Sequence, residues 1–320
     1  MPKLGTKSKS DIFRPLIRDL KHSDTSYLVF GLLIVGGMRT MSLRVTFIVL
    51  IVSAFSMSHC GPVHFSEIKQ EALTKSAVPI CDPFGGGSKP PPGHGLVGHI
   101  NYLTPDQNGP LGSVMDYYFN SNGHVPNPVF LSDLIIPTRF FKSGFSDKSN
   151  NPVTANDGSP LVRDFSLHAT SVFVLGNWAP GDYQLAMLSD DGSIFSLKGG
   201  QANGSDFVIN NDGVHATQLG CTTNILHITA DSKFPLTIDY YQGPPTSIGM
   251  ILLARPLSPG NPQDEQCGRG GNDDAYFFFD QAYPVPPTEQ QPYIDVKMRG
   301  WVPVDGSHFE LPSGVTNPCS

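Results

Sequence analysis

The stretch Gly181–Gly192, GDYQLAMLSDDG, decides how this chain is read. Tyr183, Leu185 and Met187 fall on one side of an extended backbone and Gln184, Ala186 and Leu188 on the other, the period of a half-buried strand. Ser189-Asp190-Asp191-Gly192 then breaks the alternation with residues that favour turns. Ile194, Phe195 and Leu197 restart it. Asp190 and Asp191 therefore end a strand, and two readings of them stand. In one, Asp190 caps backbone amides and Asp191-Gly192 turns a hairpin. In the other, the adjacent carboxylates hold a divalent cation, calcium being the ion that accepts about six to eight carboxylate, amide and backbone oxygens.

Outward from this stretch the pattern stays all-β. Upstream, Leu111–Asn120, Pro128–Phe141 and Leu161–Gly176 mix alternation with aromatic and β-branched residues, and Asn, Asp, Gly and Pro clusters separate them. Downstream come Asp206–Gly213, Thr223–Ala230, Phe234–Gly243 and Ser247–Leu257. Charged residues make up only 15% of the chain against 33 Gly and 29 Pro, a mix that suits short strands and many turns rather than long helices. The expectation is an antiparallel β-sandwich or barrel over residues 99–257, with no sustained helical period and no internal repeat. Residues 258–320 read as a short irregular extension packed on that domain, with Tyr276–Phe279 and the IDVKMRGWVPV run as candidate strands.

The N-terminal residues 1–60 read as a targeting region. Val45–Phe55 is a short apolar core preceded by Arg44, and Cys60 follows in FSMSHCGP. This resembles a bacterial lipoprotein signal, in which the cysteine is lipidated; the chain departs from it at His59, where a small residue is usual, and at Met57, where Leu is. The readings are a lipid-anchored protein, a secreted one, or one kept by a membrane anchor. A second apolar piece, Tyr27–Gly37, is shorter than the ~20 residues that span a bilayer. Either Met38 or Met41 is the true start, or residues 1–40 extend the signal. Residues 61–98, containing DPFGGGSKPPPGHG, read as a Gly/Pro-rich linker.

Charge and cysteine usage agree with export. Residues 1–45 hold eight of the 21 Lys/Arg and three of the 28 Asp/Glu, which leaves 13 basic against 25 acidic residues beyond. Such a body repels phosphates, so nucleic acid is not an expected partner. With Cys60 set aside for lipid, Cys81, Cys221, Cys267 and Cys319 remain as an even set of disulfide candidates. Placement of two of them in the C-terminal tail suggests Cys267–Cys319 and Cys81–Cys221. No C-x-x-C spacing is present.

GDYQLAMLSDDGSIFSL, VINNDGVH and FPLTIDYYQGPPTSIGMILL, taken in order, resemble the successive signatures of a PA14 domain, over roughly Ile100 to Pro256. That family is a β-barrel or β-sandwich module of bacterial toxins, glycosidases and fungal adhesins. In its flocculin-like lectins a cis-linked Asp pair holds a calcium ion that coordinates sugar hydroxyls. By that resemblance Asp190 and Asp191 would be the paired metal ligands. Gln242 stands with Gly243 where those lectins place an Asn, and would be the third. Gly192, Tyr241, Gly243 and Trp178 are the ligand-contact candidates. The implied function is a surface-displayed, calcium-dependent carbohydrate-binding protein, adhesin- or lectin-like. Its partners would be a glycan or cell-surface polysaccharide and, through the lipid, a membrane. It would be exported to the cell envelope, as an outer-membrane lipoprotein or at the cell surface. The alternative is a structural or protein-binding envelope lipoprotein without glycan specificity.

Other motifs carry blander readings. Asn210-Asn211-Asp212-Gly213 reads as a hairpin turn in which Gly213 takes positive φ, with His215 a packed polar residue. Asn272-Asp273-Asp274 lacks a strand leading into it, and Trp178 and Trp301 are candidates for stacking on sugar or for the core. G-x-S-x-G, H-E-x-x-H and phosphate- or dinucleotide-binding glycine patterns are absent, and the ten histidines show no metal-ligand spacing. The chain is therefore expected not to be an enzyme.

Overall fold

The strands follow the turn punctuation closely. In chain order they are β1 (Ile80–Cys81), β2 (Leu96–Tyr102), β3 (Gly123–His124), β4 (Val129–Leu131), β5 (Ile135–Arg139) and β6 (Phe165–Val174). There follow β7 (Gly181–Asp190), β8 (Ser193–Leu197), β9 (Phe207–Asn211), β10 (Gln218–Cys221) and β11 (Leu226–Ile228). The series continues with β12 (Lys233–Gln242), β13 (Ile248–Pro256), β14 (Phe278–Phe279), β15 (Thr288–Glu289), β16 (Val302–Pro303) and β17 (Phe309–Glu310). Among the described residues two short α-helices interrupt them, α1 (Val114–Asn120) and α2 (Gln291–Met298). This computed structural model describes residues 79–83, 91–109, 111–139, 153–243, 247–268, 277–279 and 287–319. They lie in the unit Gln70–Ser320; the targeting region with Cys60, most of the Gly/Pro-rich linker and Asn272-Asp273-Asp274 lie outside the described residues.

Two antiparallel sheets make the sandwich. The first runs β1-β4-β2-β6-β12-β8-β9, with β3 beside β2 and β17 beside β6. The second runs β10-β7-β13-β16, with β11 also on β7 and β5 on β13. Only the β1–β4 pairing is parallel among the described strands. The inner faces meet in one core: Phe165, Leu167, Ala169 and Phe173 of β6 and Leu236, Ile238 and Tyr240 of β12 oppose Tyr183, Leu185 and Met187 of β7 and Met250 and Leu252 of β13.

Several expectations change. β7 is buried on both faces rather than one, because Ala186 and Leu188, with Ile251 and Leu253 of β13, lie in a second core under Phe277, Phe278, Tyr293, Val296 and Trp301. The C-terminal extension is thus a covering layer with its own helix α2, and it explains why β13 reads as the unbroken apolar run IGMILLA. Leu111–Asn120 is not a strand. Ser113 accepts the Asp116 N–H at 3.1 Å and caps α1, the signal being Ser three residues before Asp. The domain also starts earlier than residue 99: Leu96 to Gly98 belong to β2, and Ile80–Cys81 pairs with β4.

The disulfides join Cys81 to Cys319 and Cys221 to Cys267, not the pairs expected. Closeness in the tail did not mean closeness in space. Cys267 lies in the loop beside β10, packed on the covering layer, while the chain crosses through β17 on the first sheet before ending near β1.

Candidate functional site

β7 and β12 both end at the same edge of the sandwich, and their last residues build the site. Asp190 closes β7, and the peptide bond to Asp191 is cis. Gly192 then turns the chain into β8, and the Tyr241 N–H donates to the Gly192 carbonyl at 3.0 Å. A Cβ on Gly192 would stand 2.3 Å from Tyr241 Cε1 and 2.9 Å from the Gly213 nitrogen, so the turn needs glycine for close approach.

Both carboxylates are buried, Asp190 5% and Asp191 4% exposed. Asp190 Oδ2 accepts the Thr217 hydroxyl at 2.9 Å. Asp191 accepts the His215 N–H on Oδ1 at 3.1 Å and the Gly243 N–H on Oδ2 at 2.8 Å. Neither forms an ion pair with a Lys or Arg among the described residues. Burial and then the charge of Asp191 push the Asp190 carboxyl up to about 6, and burial raises Asp191 as well.

Gln242 joins this edge from β12. The Tyr240 hydroxyl lies 2.5 Å from Gln242 Oε1 and 2.5 Å from the Asp190 carbonyl oxygen, so one hydroxyl faces two acceptors. Tyr240 is fully buried, and burial followed by the Asp190 charge raises its pKa well above the usual phenol range. Beside it, Ser189 and Ser193 hydroxyls meet at 2.8 Å and Asn211 Nδ2 donates to Ser189 at 2.8 Å.

The turn Asn210–Gly213 closes the far side. Gly213 takes φ 128°, as its sequence implies, and Asp212 Oδ1 accepts the N–H groups of Val114 and Gly213 at 2.8 and 2.9 Å. That pins the start of α1 over β12. Tyr117 of α1 stacks on Tyr241 with centroids 4.7 Å apart, and Tyr241 is fully buried.

The structure therefore brings Asp190, Asp191, Gln242, Gly192 and Gly243 together and separates other candidates. Tyr241 is covered by α1, so its ring is not a ligand surface, and Tyr240 and Tyr241 are both buried. Trp178 lies before the other end of β7, roughly 30 Å away at ~3.3 Å per residue. It stacks on Tyr183 at 4.4 Å. Trp301 is wholly buried and donates Nε1–H to Asp264 Oδ2 at 2.8 Å, so it belongs to the covering layer. Sequence reasoning missed Thr217 and the backbone of His215 as Asp partners. The NDG turn was the only signal for them, since both lie just beyond it.

The residues fit a cation on their own chemistry. Two buried, adjacent carboxylates stand beside the Asp190 carbonyl and Gln242 Oε1, with no Lys or Arg ion pair to neutralise them among the described residues.

No protein-family model matches the chain, and no curated protein matches it. Solved structures to which it is similar include a PA14 sugar-binding domain from an RTX adhesin, at 16% identity and TM-score 0.32, covering 51% of this chain and 90% of that one. The PA14 domain of the MpAFP antifreeze protein aligns at 11% identity and TM-score 0.37, covering 71% of this chain and 98% of that one. The epithelial adhesin 9 A domain from Candida glabrata, solved with Galb1-4GlcNAc, aligns at 15% identity and TM-score 0.35, covering 58% and 91%. The chain is an all-β, mainly antiparallel sandwich similar in fold to PA14 domains.

Proposed function

We propose that this protein is a calcium-dependent, surface-displayed glycan-binding module. The observation that carries the reading is the pair of adjacent, buried carboxylates at the end of β7, without a Lys or Arg ion pair among the described residues. Asp190 and Asp191 would hold the ion, with Gln242 Oε1 and the Asp190 carbonyl as further oxygens beside them. Calcium supplies a site at which vicinal sugar hydroxyls replace water. The chain's own part is to hold the two carboxylates in place, through Thr217, His215 and Gly243, with the buried Tyr240 beneath Asp190. The disulfides suit an oxidising, extracellular setting. A lipid at Cys60 would supply the tether.

Titration calorimetry of the full chain with calcium tests the site. The expected result is one equivalent bound by the wild type and none by Asp190→Ala/Asp191→Ala. Unchanged affinity in the double variant would sink the assignment. A glycan array read with calcium and with chelator then tests the ligand.

A second reading rests on a specific observation: both oxygens of Asp191 already accept backbone N–H groups, the pattern of a carboxylate that fixes a turn. Under it the protein is a structural or protein-binding envelope component. Thermal melts separate the two, since an ion bound only by the native state raises the midpoint with concentration. Identical melts in millimolar calcium and in chelator would favour the structural reading.

A further inference from the structure

The outer face of the first sheet carries a row of side chains that the acidic site does not use. His99 of β2 lies directly opposite His168 of β6, which lies directly opposite Asp239 of β12. β3 adds His124 beside β2, its ring centroid 6.0 Å from that of His99. Residues facing one another across strands carry Cβ atoms about 4.5–5.5 Å apart, close enough for two imidazoles to reach one ion at about 2.0–2.1 Å.

Two of the rings are already oriented. His168 Nδ1 lies 2.6 Å from Asp239 Oδ1, and His124 Nδ1 lies 3.0 Å from Asn101 Oδ1. Carboxylate and amide oxygens only accept, so each Nδ1 donates and, in the neutral ring, Nε2 keeps its lone pair. An imidazole held from behind by a carboxylate is the arrangement that orients metal-binding histidines. Among the described residues no three such side chains already stand in coordinating geometry. Closing the set takes rotation of His99 and release of His124 from Asn101, both histidines being exposed on the sheet surface.

We propose that His99, His168 and His124 form a binding site for a late first-row divalent metal ion of the zinc or copper class, with Asp239 positioning His168. Imidazole nitrogen selects such ions, whereas the oxygen-lined pair Asp190 and Asp191 selects calcium. The sandwich thus carries two cation sites of different chemistry. The His site stands whether or not calcium binds.

The test is zinc titration of the untagged full chain by calorimetry, in saturating calcium so that the acidic edge is not the reporter. The wild type should bind one equivalent. His99→Gln, an exposed change that does not threaten folding, and His168→Gln should each weaken binding at least tenfold. Asp239→Asn should weaken it several-fold while His99 and His168 remain. His227→Gln, at the exposed pair with Asp182 on the second sheet, should bind as the wild type does. No zinc bound by the wild type, or equal affinity in the wild type and His99→Gln, overturns the proposal.

Discussion

The two sheets present opposite outer faces. On the second, Ala186, Leu188, Ile251 and Leu253 lie under Phe277, Tyr293, Val296 and Trp301, and the surface is a second core. On the first, Thr170, Thr237, His168 and Asp239 stand half-exposed, with α1 over Tyr241 and its Tyr118 ring beside His168, and with Leu311 packed on Val97 and Phe130. The difference follows from composition. A strand whose both faces are apolar needs a layer on each side, while an alternating strand is complete with one. The C-terminal extension therefore lays an apolar layer on the second sheet, while on the first it adds β17 and the Leu311 contact and leaves the polar row of β6 and β12 half-exposed.

Truncating the cover should break that contrast most. Trp301 is fully buried and donates to Asp264, so Trp301→Ala should cost about 3–5 kcal/mol in denaturant unfolding. Removing the Cys221–Cys267 bridge as Cys221→Ala/Cys267→Ala should cost about 2–4 kcal/mol, since the bonded residues are 46 apart and the bridge pins the covering loop. Gly192→Ala tests the edge where the two faces meet. Its Cβ would press on Tyr241 and the Gly213 backbone, and the expected loss is about 1–3 kcal/mol by thermal melt; under the proposed calcium site, added calcium should also raise its midpoint less than that of the wild type. On the open face, Thr237→Ala should change stability by less than about 1 kcal/mol. A loss there as large as that of Trp301→Ala would mean the first sheet is covered too.

Much of the edge site was legible. SDDG announced a strand ending in paired carboxylates, NDG announced a turn with positive φ at Gly213, and the YYQG run placed Gln242 and Gly243 at another strand's end. Those signals are local, written in alternation and turn residues. α1 was not legible because its seven residues contain a Tyr-Tyr-Phe run with strand propensity, and its helix is held by Ser113, Asp212 and the Tyr117–Tyr241 stack. α2 was hidden for a similar reason: only Tyr293 and Val296 are buried on it, too few to set a helical period. The disulfide pairing failed because it was inferred from proximity along the tail.

The sequence by itself determined the all-β class, the strand that ends in Asp190 and Asp191, and the acidic character of the body, because alternation, turn chemistry and charge are properties of neighbouring residues. Only the tertiary structure decided which strands lie side by side. Register across β2, β6 and β12 set His99, His168 and Asp239 in one row, although nothing in their spacing along the chain relates them. The same packing buried Tyr241 under α1, sent Trp178 to the far end of β7, and joined Cys81 to Cys319. Long-range pairing is fixed by the burial of whole faces, which no short window of sequence contains.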